Sequence, residues 1–228
     1  MTDIEKNVKE ILAYISEEEK RLGRRISLVG ATKTRTPDEI NDAVKAGLEA
    51  VGENRPQELR DKLPLISPEA EIHFIGHLQK NKVKYVVGKA SLIHSCDSLD
   101  LAEAISAYAK ERGITQDMLI EVNISKEPDK HGFSAGGIFA AAEKLKKLDN
   151  VRFRGLMTVL PHVETTLLPP YCIKMKELFD KLKADGFGED FNVLSMGMSE
   201  DFKTAINYGS NMVRIGRGIF GERDYGKN

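Results

Sequence analysis

Residues 27–40 read SLVGATKTRTPDEI. The first half is small and apolar, as in a strand covered on both faces. The second half opens a helix: Thr36 can cap it, Pro37 takes the first helical position, and Glu39 stands three residues after the cap. A single lysine, Lys33, interrupts the joint. A buried strand followed at once by a capped helix is the first half of a parallel βαβ unit. The fold therefore turns on whether that unit repeats.

It does. After ISLVGAT (26–32), short apolar runs recur as LEAVGE (48–53), EIHFIG (71–76), SLIHSC (91–96), MLIEVNI (118–124), VRFRGLMTV (151–159), FNVLSMG (191–197) and NMVRIG (211–216). Helix-like sequence separates them. Asp97 or Ser98 can open one helix that Gly113 ends, and Ser199 can cap EDFKTAINYG with Gly209 as its stop. Gly47 and Gly186 close two more. Eight strands alternating with helices predict an α/β fold, a (β/α)8 TIM barrel. A doubly wound open sheet fits the same pattern, because periodicity alone does not show closure. Ahead of the first strand, Ile4, Val8, Ile11, Leu12 and Ile15 make a helical stripe over residues 3–22, an extra N-terminal helix packed on the barrel. No linker or composition break divides residues 1–228, so one domain is expected.

Composition narrows the function classes. The chain has 228 residues, with 34 Lys and Arg against 35 Asp and Glu, a net charge of −1. No basic block offers an electrostatic footprint for nucleic acid. No apolar run approaches the ~20 residues that span a bilayer, and the charged N-terminus is not a signal peptide. Cys96 and Cys172 are isolated, as in a reducing compartment. A cytoplasmic protein is expected, with neither nucleic acid nor membrane as partner, and as a monomer.

In a barrel of this kind chemistry sits where the strands end. Lys33 ends the first strand, Glu53 and Asn54 the second, GHLQKNK the third, Met157 and Thr158 the sixth. SMGMS ends the seventh, and Arg214 followed by GRG the eighth. The last two loops of such barrels often hold a phosphate. Gly216 and Gly218 would let backbone N–H groups approach an anion, with Ser199 and Arg217 as further donors. The same signals also describe a helix whose dipole Glu200 and Asp201 already complement. Beside a phosphate site, Lys33 could form a Schiff base with an aldehyde. Alone, it reads equally as a surface lysine snorkelling from a strand end.

Three other patterns carry less. GRGIFG (216–221) matches G-x-G-x-x-G but lacks the chain length for the acid that should follow ~20 residues later. His73 and His77 have a spacing that suits zinc only on a helix, and they flank a strand, so no metal is expected. GMSED lacks the second glycine of a nucleophile elbow.

Taken in order, GATKT, VGENRPQE, HFIGHLQKNK, RGLMTV and LSMGMSEDFKTAINYGSNMVRIGRGIFG resemble the YggS-like pyridoxal phosphate homeostasis proteins. Those proteins look like the barrel half of alanine racemase standing alone. The resemblance runs from about residue 26 to 221 and implies a pyridoxal 5'-phosphate site. By it, Lys33 matches the lysine that forms the covalent internal aldimine. Asn54 and Met157 match residues beside the cofactor ring, Ser199 a phosphate ligand, and Arg214 the arginine facing the pyridine nitrogen. Gly216 and Arg217 complete the phosphate site. Two positions depart from the family pattern: Arg217 where many relatives carry a small hydroxyl residue, and His77 where many carry proline.

The resemblance also bears on catalysis. Arginine cannot accept a proton, so it favours an unprotonated ring nitrogen and a weak electron sink. Racemisation needs an acid or base on each face of the substrate's Cα, and no tyrosine sits at a strand end facing Lys33. The reading favoured is a non-catalytic protein of cofactor homeostasis that stores, delivers or buffers pyridoxal phosphate, with pyridoxal-phosphate-dependent apoenzymes as recipients. The alternative is an amino-acid racemase completed by a partner or subunit interface.

Overall fold

The computed structural model describes residues 2–222. Met1 and residues 223–228, which the single-domain expectation also takes in, lie outside them. Nine strands form: β1 (Ser27–Ala31), β2 (Ala50–Glu53), β3 (Glu71–Phe74), β4 (Leu92–Cys96), β5 (Gln116–Asn123), β6 (Phe133–Ser134), β7 (Val151–Met157), β8 (Val193–Ser195) and β9 (Met212–Ile215). Their order is β4-β3-β2-β1-β9-β8-β7-β5-β6, and β4 also pairs with β5. That last pairing closes an eight-stranded ring, every ladder of which is parallel. The choice between barrel and open sheet is thereby settled for the barrel. The two-residue β6 lies outside the ring, paired to the end of β5 at Val122 and Asn123.

The surrounding helices are α1 (Asp3–Leu22), α2 (Pro37–Lys45), α3 (Pro56–Lys62), α4 (Leu99–Glu111), α5 (Ile138–Leu145), α6 (Pro169–Leu182), α7 (Phe202–Asn207) and α8 (Arg217–Phe220). The extra N-terminal helix α1 lies against α2 and α8, with Asn7 Nδ2 donating to the Ile219 carbonyl at 3.0 Å. Local signals explain the boundaries. The Thr36–Glu39 capping box forms in full, and the Ser98 hydroxyl accepts from Leu101 N to cap α4. Between β3 and β4 the chain makes a 3-10 turn, Lys80–Tyr85, instead of an α-helix.

Two apolar clusters share the strands. The larger fills the space between ring and helices. The smaller, built on Val29, Ala50, Leu92, Leu119, Met157 and Met212, packs inside the ring. Side chains alternate between the two along each strand. A bulge resets this alternation on β7: the register against β5 slips between Phe153 and Gly155. Gly155 has φ +151°, and a Cβ there would sit 1.7 Å from the Val193 carbonyl oxygen, so only glycine lets β7 press this closely on β8. The slip is what turns Met157 inward.

Candidate functional site

At the C-terminal end of the ring opens a cavity of about 520 Å³. Its walls include Ala31 of β1, Val159 after β7, Ser199 before α7, Arg214 of β9, and Gly216 and Arg217 at the start of α8. Four residues singled out from sequence thus meet in one space: Ser199, Arg214, Gly216 and Arg217. The other three, Lys33, Asn54 and Met157, are not among the residues that line it. Lys33 is half-buried, on the turn two residues beyond Ala31. Asn54 is half-buried just past β2, and its carbonyl group lies against Gly76, where a Cβ would come within 2.0 Å. Met157 is 2% exposed and belongs to the inner cluster.

The turn carrying Lys33 is tied down on both sides. Lys62 Nζ of α3 donates to the Thr32 carbonyl at 3.0 Å, to Glu53 Oε1 at 3.0 Å and to Glu58 Oε2 at 2.8 Å. The Thr32 hydroxyl donates to Glu53 Oε1 at 2.6 Å, and Thr34 N to Glu58 Oε2 at 2.9 Å. Thr34 holds φ at +67°, a conformation a threonine keeps only when its surroundings enforce it. Glu53 is fully buried. Burial pushes its carboxyl up, against the pull of Thr32 and Lys62. Glu53 and Lys62 therefore act on the backbone that bears Lys33.

Arg214 is the buried cation of the site, 4% exposed. Nη1 donates to Ser195 Oγ at 2.6 Å and Nη2 to the Thr158 carbonyl at 2.9 Å. Among the described residues no carboxylate lies within ion-pairing distance of it. Burial pushes the guanidinium down to about 10, with Glu121 and Asp201 opposing from further away. Below it, a hydrogen-bonded chain threads the ring interior. Ser195 Oγ lies 3.2 Å from His94 Nδ1, His94 Nε2 lies 3.1 Å from His73 Nδ1, and His73 Nε2 lies 3.4 Å from Glu71 Oε2 at the opposite end of the barrel. An arginine only donates and a carboxylate only accepts, so the chain runs from a donor at one end to an acceptor at the other. Burial first, then His73 and Arg214, hold His94 well below the ordinary histidine range. Ser195→Ala strands both His94 Nδ1 and an Arg214 N–H, and is expected to cost about 1–3 kcal/mol in urea unfolding. A stability equal to that of the unsubstituted chain would show that the chain of bonds holds nothing.

The phosphate-like corner differs from its sequence reading. Ser199 does not cap α7. That position is Asp201, because Ser199 lies within a turn that precedes the helix; the Asp201 carboxylate makes no cap bond to α7 and instead takes Met198 N at the start of that turn. Ser199 Oγ instead accepts from Gly218 N at 3.2 Å. Its hydroxyl proton stays available, and no side chain caps α8. Arg217 is held by Glu200 and Glu222, so an anion would have to draw it from two carboxylates.

Several residues of the mouth escaped the sequence reading. Lys130 and Glu127, themselves paired, form another wall. Glu121 of β5 carries a carboxyl pushed up to about 7 by burial and by Asp97, with Arg214 opposing. In the ring β5 stands four strands from β1 in either direction, so Glu121 and Lys33 belong to opposite sides. Polar residues at alternate positions inside otherwise apolar runs (EIHF, LIHS, LIEV) were the available signal.

The closed parallel barrel, with an arginine buried away from every carboxylate among the described residues, belongs to a known class of domain. The family model described as alanine racemase, N-terminal domain, matches residues 31–224, and the chain belongs to this family. It is 42% identical over 224 residues to the pyridoxal phosphate homeostasis protein of Aquifex aeolicus (strain VF5), covering 94% of this chain and 96% of that one. A crystal structure of a protein from Bifidobacterium adolescentis superimposes with a TM-score of 0.90 at 36% identity, over 96% of this chain and 94% of that chain. PipY of Synechococcus elongatus PCC7942 with pyridoxal phosphate bound gives a TM-score of 0.80 at 28% identity, over 91% of this chain and all of PipY. The likeness read from GATKT, VGENRPQE and the C-terminal block is that of the family found. Among the described residues no helix is long and apolar enough to cross a membrane.

Proposed function

We propose that the cavity binds pyridoxal 5'-phosphate, and that the protein serves homeostasis of this cofactor by holding and releasing it. Arg214 carries the reading. A buried guanidinium with N–H groups to spare and no carboxylate beside it calls for a ligand acceptor, and an unprotonated pyridine nitrogen is such an acceptor. The homeostasis proteins among its relatives, and the bound cofactor of PipY, support the same ligand.

In this reading Ser199, the backbone at Gly216 and Arg217 hold the phosphate. Asn54 and Met157 are the neighbours of the ring, and Lys33 takes the aldehyde covalently. When bound, the cofactor supplies an electrophilic carbonyl and a conjugated, electron-withdrawing ring. Arg214 keeps that ring a weak sink. The turn held by Glu53, Glu58 and Lys62 keeps the Lys33 amine at one place on the rim. The protein acts as a single-domain monomer of the cytoplasm, with apoenzymes that need the cofactor as recipients. Loading with pyridoxal phosphate, borohydride reduction and peptide mass mapping should place the label on Lys33. Label on Lys130, which walls the same cavity, or none at all, would overturn the assignment.

One observation favours a second reading, an amino-acid racemase. Proton movement at Cα needs a group on each side, and Glu121, titrating near neutrality, stands across the ring from Lys33. If this reading holds, the loaded protein racemises an amino acid and Glu121→Gln abolishes it. Absence of racemisation across the common amino acids leaves homeostasis as the function.

A further inference from the structure

His77, Asp97 and His131 come from three separate segments and converge at the rim. His77 follows β3, Asp97 follows β4 directly, and His131 lies between β5 and β6. Their ligand atoms all lie within 4.8 Å of one another. His77 Nδ1 is 3.1 Å from Asp97 Oδ2, and His131 Nδ1 is 3.9 Å from the same oxygen. Both Nδ1 atoms thus lie within 4 Å of one carboxylate oxygen, while the two imidazoles stack face to face, centroids 3.8 Å apart at 10°; taking one ion between them requires these exposed rings to turn out of the stack. The second of these distances is too long for a hydrogen bond. A tetrahedral ion with bonds of about 2.1 Å holds its donors about 3.4 Å apart, a value the two distances straddle.

Two of the three donors also rest on fixed supports. Ser98 Oγ donates to Asp97 Oδ1 at 3.0 Å, which leaves Oδ2 turned to the imidazoles. Asp97 itself is only 11% exposed at its side chain. The His131 loop is clasped by Asn123 Nδ2, which donates to the carbonyls of Glu127 at 2.8 Å and Lys130 at 3.0 Å. Next to His131, Gly132 has φ +114°, and a Cβ there would come within 2.8 Å of Asn123 N. That contact requires glycine, and it presses the loop onto β5. Ligands on fixed supports with an outer-shell partner are what a metal site needs.

We propose that His77, Asp97 and His131 form a binding site for a divalent transition-metal ion of the zinc class. Two imidazole nitrogens and one carboxylate oxygen suit zinc, cobalt(II) or iron(II), with the remaining position open to water. The ion would tie the loop that carries Glu127 and Lys130, and with it one wall of the cavity, to the ends of β3 and β4. The site is independent of the cofactor reading and stands whether or not pyridoxal phosphate binds.

The test uses the full chain, stripped of metal with a chelator. Equilibrium dialysis against Zn²⁺ should give one ion per chain, and Co²⁺ should develop ligand-field absorption. His77→Ala and His131→Ala should each weaken Zn²⁺ binding by about tenfold or more. Both histidines are on the surface, so these variants should fold, which circular dichroism checks. Failure of the unsubstituted chain to bind Zn²⁺ in molar excess would overturn the proposal. So would binding that survives both substitutions, since the ion would then sit elsewhere.

Discussion

Arg214→Met should change folding stability by no more than about 2 kcal/mol, yet weaken pyridoxal phosphate binding by roughly tenfold to a hundredfold. The two halves of this expectation have different sources. The buried guanidinium has no ion-pair partner among the described residues, and its pKa is pushed down to about 10 by lost hydration. Removing a buried charge that carries such a cost is often neutral, provided the replacement fills the volume. Methionine does so with flexible, apolar bulk. What is lost in the free protein is the pair of bonds to Ser195 and the Thr158 carbonyl; Ser195 keeps His94 as a partner, and the stranded Thr158 carbonyl costs about 1–3 kcal/mol, offset by the desolvation that the removed charge no longer carries. In the loaded protein the lost interaction is a hydrogen bond from a charged donor, worth about 1.5–3 kcal/mol. Unfolding in urea and spectral titration with the cofactor separate the effects. A stability loss of several kcal/mol would make Arg214 a structural strut. Unchanged affinity would remove it from the ligand's surroundings.

Glu121 should give the chain a pH dependence opposite in sign to that of most carboxylates. In the folded protein its carboxyl holds a proton up to about 7, whereas an unfolded chain releases it near 4.3. Between those values the folded state binds more protons, so stability falls as pH rises and levels off above 7. The upper bound on the change is about 4 kcal/mol. Glu53 and Asp201, also raised by burial, act in the same direction, so the comparison must be made against Glu121→Gln. The stability difference between the two chains should shrink or reverse from pH 4.5 to 7 and stay flat above. A difference independent of pH would place the Glu121 carboxyl in ordinary solvent.

Much of this architecture was legible in the sequence because its causes are local. The Thr36-Pro37-Glu39 signal needs only residues within one helical turn, and it forms as read. Alternating apolar runs gave eight ring strands, but they could not give the β4–β5 pairing that closes the ring. Ser199 was read as a cap because it precedes an acidic first turn. Its true partner, Gly218 N, lies 19 residues on, beyond any local rule. The same holds for the chain from Arg214 through Ser195, His94 and His73 to Glu71, which draws on four strands. Single histidines in apolar runs announce that something polar is buried, not which neighbour will satisfy it. The Lys33 turn shows both sides. Its place at a strand end was plain, but its tether to Glu58 and Lys62 depends on how α3 lies.

Ring closure also has a consequence for the order in which the protein can be made. β1 forms a ladder with β9, so β1 waits for a strand made about 180 residues later. Until then β1 shows an unpaired edge, and Arg214, Gly216 and Arg217 are missing from the mouth. A nascent or C-terminally truncated chain would therefore carry Lys33 without the residues proposed to select its ligand. Pairing between distant parts of a chain is slow to form and leaves open edges exposed meanwhile. Competence for the ligand should thus arrive all at once, when β9 has emerged and paired with β1.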